Sequence, residues 1–90
     1  MVIPYGRQEI DDDDITAVVD VLKSAWLTTG PSVEAFESEF ADYVGADHAV
    51  AVSNGTAALH LSMIAGDIGP GDEVIVSSLT FAASANCARY

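Results

Sequence analysis

Apolar residues recur along this chain at spacings that predict its elements one after another. Ile15, Val18, Val19, Leu22 and Trp26 stand at i, i+3, i+4, i+7 and i+11, one stripe of an amphipathic helix. Asp11 is its natural N-cap, and the run Asp11–Asp14 suits the positive end of the helix dipole. A loop, Trp26-Leu27-Thr28-Thr29-Gly30-Pro31, follows, with Gly-Pro as punctuation. Ser32 is then expected to cap a second helix, with Val33, Phe36, Phe40 and Val44 on its buried face and Gly45 as its stop. Glu34, Glu37 and Glu39 make its wet side.

The segment Ala49–Met63 changes character in the middle. A short apolar run breaks at Ser53-Asn54-Gly55-Thr56, and apolar residues then resume at helical spacing, Leu59 and Met63 four apart. This helix is expected to end near Gly66, before a turn at Gly69-Pro70-Gly71-Asp72. Glu73–Ser77 is again apolar on successive residues. Such runs suit strands buried on both faces, and hence parallel strands joined by the helix between them. Thr80 is expected to cap an alanine-rich helical run, Phe81–Tyr90. The fold class expected from these elements is α/β.

A strand, a tight glycine turn and a helix start leave unpaired backbone N–H groups at the helix N-terminus. Those donors and the dipole favour an anion, usually a phosphate. Gly55 permits close approach of the backbone, and the Ser53 and Thr56 hydroxyls can add hydrogen bonds. By itself the tetrapeptide is equally well a turn with a helix cap.

Half of the 90 residues are hydrophobic, which makes this a globular chain. No run approaches the roughly 18 uninterrupted apolar residues of a membrane helix, and the N-terminus has no signal-peptide pattern. A membrane partner is not expected. Cys87 is the only cysteine and cannot form an internal disulfide, so a cytoplasmic location is the default. Fourteen acids against three bases give a net charge of −11, and Arg7, Lys23 and Arg89 form no basic stripe. Nucleic-acid binding is therefore disfavoured. The same charge is awkward for an anionic substrate, whose charge must meet backbone donors or cations from elsewhere.

Four adjacent aspartates do not make a metal site, because consecutive helical residues fan outward. Lys23, near the end of the first helix, suits a surface role far better than catalysis. His48 is most simply a turn residue, and His60 a satisfied core histidine beside Leu59 and Met63. Neither has a partner at metal-ligand spacing, and no metal is expected. Two doubly buried strands need neighbours and covering layers that 90 residues barely provide. The chain is therefore expected to be the N-terminal part of a longer protein.

Five ordered blocks carry a resemblance. They are Pro4-Tyr5-Gly6-Arg7-Gln8, Trp26–Pro31, Ala51–Leu59, Gly69–Ile75 and Leu79–Asn86. Together they resemble the opening of the DegT/DnrJ/StrS family of sugar aminotransferases, which use pyridoxal 5'-phosphate (PLP), and the likeness covers the whole chain. Within the family the blocks are most similar to the transaminases of pseudaminic acid biosynthesis. Those aminate C4 of a UDP-linked 4-keto-6-deoxy-N-acetyl sugar, with glutamate as donor.

The resemblance implies a fold type I enzyme, an α/β/α sandwich followed by a smaller C-terminal domain, assembled as a homodimer. Residues 1–90 would form the N-terminal part of its large domain. By the same likeness Asn54, Gly55, Thr56 and Ala57 belong to the loop that holds the PLP phosphate. Phe81 matches the aromatic residue against the pyridine ring, a position ordinary core packing would also explain. Tyr5 and Ala25, Trp26, Leu27 and Thr28 match segments that touch the sugar nucleotide. The lysine that links to PLP and the acid facing the pyridine nitrogen belong downstream of Tyr90, and Lys23 does not match the lysine motif. These residues alone should not catalyse transamination.

Two other classes compete with this expectation. A phosphate- or nucleotide-binding α/β domain could use the same strand, turn and helix, although Ser53-Asn54-Gly55-Thr56 lacks the spacing of the common fingerprints. A non-catalytic relative could keep the fold and lose the lysine.

Overall fold

The computed structural model describes residues 1–4 and 6–90. Its elements are α1 (Asp12–Lys23), α2 (Pro31–Val44), α3 (Gly55–Ala65), α4 (Ala83–Asn86) and a 3₁₀ turn, Cys87–Arg89. They divide between two units, Met1–Ala49 and Val50–Tyr90.

In the first unit the aspartate run is a capping device. Asp11 Oδ1 accepts the amides of Asp13 and Asp14, each at 3.0 Å, and Asp14 Oδ2 accepts the Asp11 amide at 3.1 Å. This reciprocal pair satisfies donors that a helix start leaves open. Lys23 occupies the last turn, where a cation opposes the negative end of the dipole. The helix stops there, so Trp26 lies beyond it and does not extend the stripe of Ile15, Val18, Val19 and Leu22.

The cap of α2 is Gly30, not Ser32, and Pro31 takes the first helical position. Proline has no N–H to lose at that position and its φ is already helical, so the helix begins before the serine. At the other end Gly45 adopts φ +70°, and the Ala46 amide reaches back to the Ala41 carbonyl at 2.9 Å. That left-handed residue closes the helix as expected of a glycine. The Phe36 and Phe40 rings lie 5.8 Å apart on the face predicted to be buried, yet both are exposed.

In the second unit α3 starts at Gly55 behind its cap Asn54 and ends at Gly66. The turn at 69–72 is closed from both sides. The Asp72 amide donates to the Gly69 carbonyl at 3.0 Å, and the Gly69 amide donates to Asp72 Oδ2 at 2.8 Å. Helix α3 packs against α4 and the 3₁₀ turn. At that contact the His60 ring meets Tyr90 edge-on at 5.4 Å, and Ala83 and Cys87 are buried. His60 is half-buried, in keeping with a packing role.

The described residues do not show the expected α/β class. Among the described residues there is no strand: the apolar runs at 49–52 and 73–77 follow extended or irregular paths. A strand exists only through hydrogen bonds to a neighbour, and a parallel pair is stable inside a sheet covered on both faces. Val50 and Ile75 are 78% and 102% exposed, so no such covering is present here. The expected helix Phe81–Tyr90 shrinks to one α-turn and one 3₁₀ turn. Thr80 is not its N-cap, which is Ala82; the Thr80 hydroxyl pairs instead with that of Ser84 at 2.9 Å. Alanine propensity alone does not offset the cost of starting so short a helix.

Candidate functional site

The N-terminus of α3 is a local product of Ser53-Asn54-Gly55-Thr56. Asn54 is fully extended (φ −168°, ψ 168°), and its Oδ1 accepts the Ala57 amide at 2.8 Å. Its Nδ2 donates to Ser53 Oγ at 3.2 Å, which fixes the orientation of the side-chain amide. The Ala58 amide bonds the Asn54 carbonyl at 3.1 Å. Of the first-turn donors, the Gly55 and Thr56 amides are left without a protein acceptor among the described residues.

The start of α3 thus offers an anion two free N–H groups, the Thr56 hydroxyl and the positive end of an 11-residue helix. A Cβ built on Gly55 would meet nothing within 4 Å. The fold does not need a glycine there; its effect is to leave the approach to the backbone open. These features fit the phosphate half of PLP. Ala57, expected among the phosphate donors, has its amide committed to Asn54.

Phe81 lies two residues ahead of α4, its carbonyl accepting the Ser84 amide at 3.0 Å, and its ring is 70% exposed. An exposed flat ring fits the wall that a pyridine ring requires. Helix α3 also borders an apolar groove of about 480 Å³, lined by Val50, Val52, Ala58, Leu61, Ile64 and Ala65. None of the predicted site residues lines it.

In the first unit Ala25, Trp26, Leu27 and Thr28 form an exposed loop between α1 and α2. Trp26 and Leu27 are 63% and 64% exposed. Thr29, next in the chain, takes φ +45°, an unusual conformation for a β-branched residue. Tyr5 lies outside the described residues. The sequence reasoning missed the part played by Ser24, whose Oγ accepts the Trp26 amide at 3.2 Å. Its signal was available, since serine directly after a helix often bonds nearby backbone groups.

Residues 8–90 match the model of the DegT/DnrJ/EryC1/StrS aminotransferase family. The spore coat polysaccharide biosynthesis protein SpsC of Bacillus subtilis (strain 168) is 54% identical over 84 residues, which cover 93% of this chain and 22% of that protein. The UDP-4-amino-4-deoxy-L-arabinose–oxoglutarate aminotransferase of Shewanella sediminis (strain HAW-EB3) is 46% identical, with the same coverage of 93% and 22%. The chain thus spans about a fifth of the length of these relatives.

Proposed function

This chain belongs to the DegT/DnrJ/EryC1/StrS aminotransferase family, and from that premise we propose that residues 1–90 are the N-terminal part of a PLP-dependent nucleotide-sugar aminotransferase. The observation that carries the reading is the start of α3, where the Gly55 and Thr56 amides and the Thr56 hydroxyl are left without a protein partner among the described residues. Gly55 and Thr56 hold the cofactor phosphate, with Asn54 and Ala57 completing the loop. Phe81 sets the plane of the ring. PLP, when bound, supplies the electron sink that lets an amino group be moved between carbon skeletons.

The substrate we propose is a UDP-linked 4-keto-6-deoxy-N-acetyl sugar, aminated at C4 with glutamate as donor. One relative is named for a UDP-4-amino sugar and oxoglutarate, and another for spore coat polysaccharide, which supports a role in surface-polysaccharide synthesis. The pseudaminic acid pathway, with UDP-4-amino-4,6-dideoxy-N-acetyl-β-L-altrosamine as product, is the finer form of the proposal. It rests on the opening blocks. Tyr5, Ala25, Trp26, Leu27 and Thr28 contact the sugar nucleotide.

With only three basic residues in this chain, the diphosphate leans on cations from the rest of the protein or from the second subunit of a cytoplasmic homodimer. The lysine that holds the cofactor and the acid facing its nitrogen come from downstream sequence, and the large domain completes a fold type I sandwich. A visible absorption band in the purified full-length protein, discharged by glutamate, tests the reading. A colourless protein that takes up no added PLP would refute it.

A further inference from the structure

The loop between α1 and α2 is held at one residue from two sides. Ser24 Oγ accepts the Trp26 amide at 3.2 Å, while its own proton faces the Val21 carbonyl at 2.7 Å, with the Trp26 carbonyl at 3.1 Å. Across the loop, Gly30 is buried against the same residue. A Cβ on Gly30 would stand 2.8 Å from Trp26 Cβ and 3.5 Å from the Trp26 carbonyl oxygen. No real pair of carbons tolerates the shorter distance, so any other residue there must displace Trp26 or the start of α2. Trp26 and Leu27 are both exposed in this loop.

We propose that Ser24 and Gly30 are positioning residues, which clamp the Trp26 backbone so that Ala25–Thr28 forms a preshaped platform for the sugar nucleotide. The inference rests on the substrate role proposed above for Ala25–Thr28. Neither Ser24 nor Gly30 touches substrate; both act through Trp26. A platform fixed in advance spares the substrate the cost of ordering the loop. Loosening it weakens sugar binding and leaves the cofactor, held by α3, unaffected.

The test compares Ser24→Ala, Ser24→Thr, Gly30→Ala and Trp26→Ala in the full-length PLP-loaded protein, titrated with UDP-N-acetylglucosamine as a stable probe. Cofactor absorbance and PLP affinity are measured alongside. Ser24→Ala and Gly30→Ala are expected to weaken probe binding roughly ten- to a hundredfold, on the scale of a misplaced binding group. PLP affinity stays the same, and Ser24→Thr, which retains the hydroxyl, restores binding. If Gly30→Ala fails to fold, Ser24→Ala with its threonine rescue carries the same test. Weakening by Trp26→Ala with no effect of Ser24→Ala would overturn the clamp and spare the substrate reading. No effect of Trp26→Ala would remove both.

Discussion

Asn54 Oδ1 accepts the Ala57 amide at 2.8 Å, so the chain itself satisfies one of the donors at the start of α3. The side chain is a cap first; in the proposed phosphate site its part is to hold Gly55 and Thr56 in place. Asn54→Ala is expected to cost about 1 kcal/mol of stability, the usual loss for an N-cap, and Asn54→Ser to recover most of it. Denaturant unfolding of the cofactor-free full-length protein checks this. Equal stability of all three proteins would mean that the cap contributes nothing.

Thr56 faces the opposite expectation. Its hydroxyl has no partner in the protein among the described residues, and a hydrogen bond to a charged group contributes about 1.5–3 kcal/mol. Thr56→Val should therefore lower PLP affinity roughly ten- to a hundredfold, at about 1.4 kcal/mol per decade. An unchanged PLP dissociation constant would make Thr56 a helix residue only.

Gly45 ends α2 at φ +70°, a conformation that costs a residue with a Cβ roughly 1–2 kcal/mol. Gly45→Ala should lower the melting temperature of the full-length protein and leave PLP affinity unchanged. A melting temperature at or above the parent value would contradict the left-handed cap.

What was legible in the sequence was what depends on nearby residues. The Asp11 cap, the glycine stops at 45 and 66, the turn at 69–72 and the start of α3 all close through bonds spanning five residues or fewer. The second cap was misjudged because Pro31 lets the helix begin ahead of Ser32. The runs at 49–52 and 73–77 have the composition of buried strands, but a strand needs partners far away in sequence, and none forms a ladder among the described residues. The proposed site divides the same way: the candidate phosphate loop is a contiguous stretch, so its cap and its free donors can be read from neighbouring residues. The contacts of Ser24 and Gly30 with Trp26 are properties of the folded backbone.

The exposed apolar faces carry their own prediction. Ile15, Val18, Leu22, Phe36, Phe40 and Val44 are all exposed, although their spacing is that of core faces. Expressed alone, residues 1–90 should bind a hydrophobic dye strongly, associate at modest concentration and show helical circular dichroism without a cooperative melt. With PLP and borohydride they should give no adduct specific to one lysine. A specific, active adduct at Lys23 would contradict the assignment of the cofactor lysine to downstream sequence.

The central claim is that this chain serves amino transfer to a nucleotide-linked keto sugar. Its most direct measurement is an acceptor panel. The full-length protein, with its cofactor charged by glutamate, is mixed with UDP-linked 4-keto sugars, 3-keto sugars and small keto acids, and the return of the PLP spectrum is followed. The account predicts rapid return with a UDP-4-keto-6-deoxy-N-acetyl sugar and an amino group at C4 of the product. Preference for a 3-keto sugar would keep the family chemistry and discard the pathway. Rapid return with small keto acids and none with any sugar nucleotide would contradict the account.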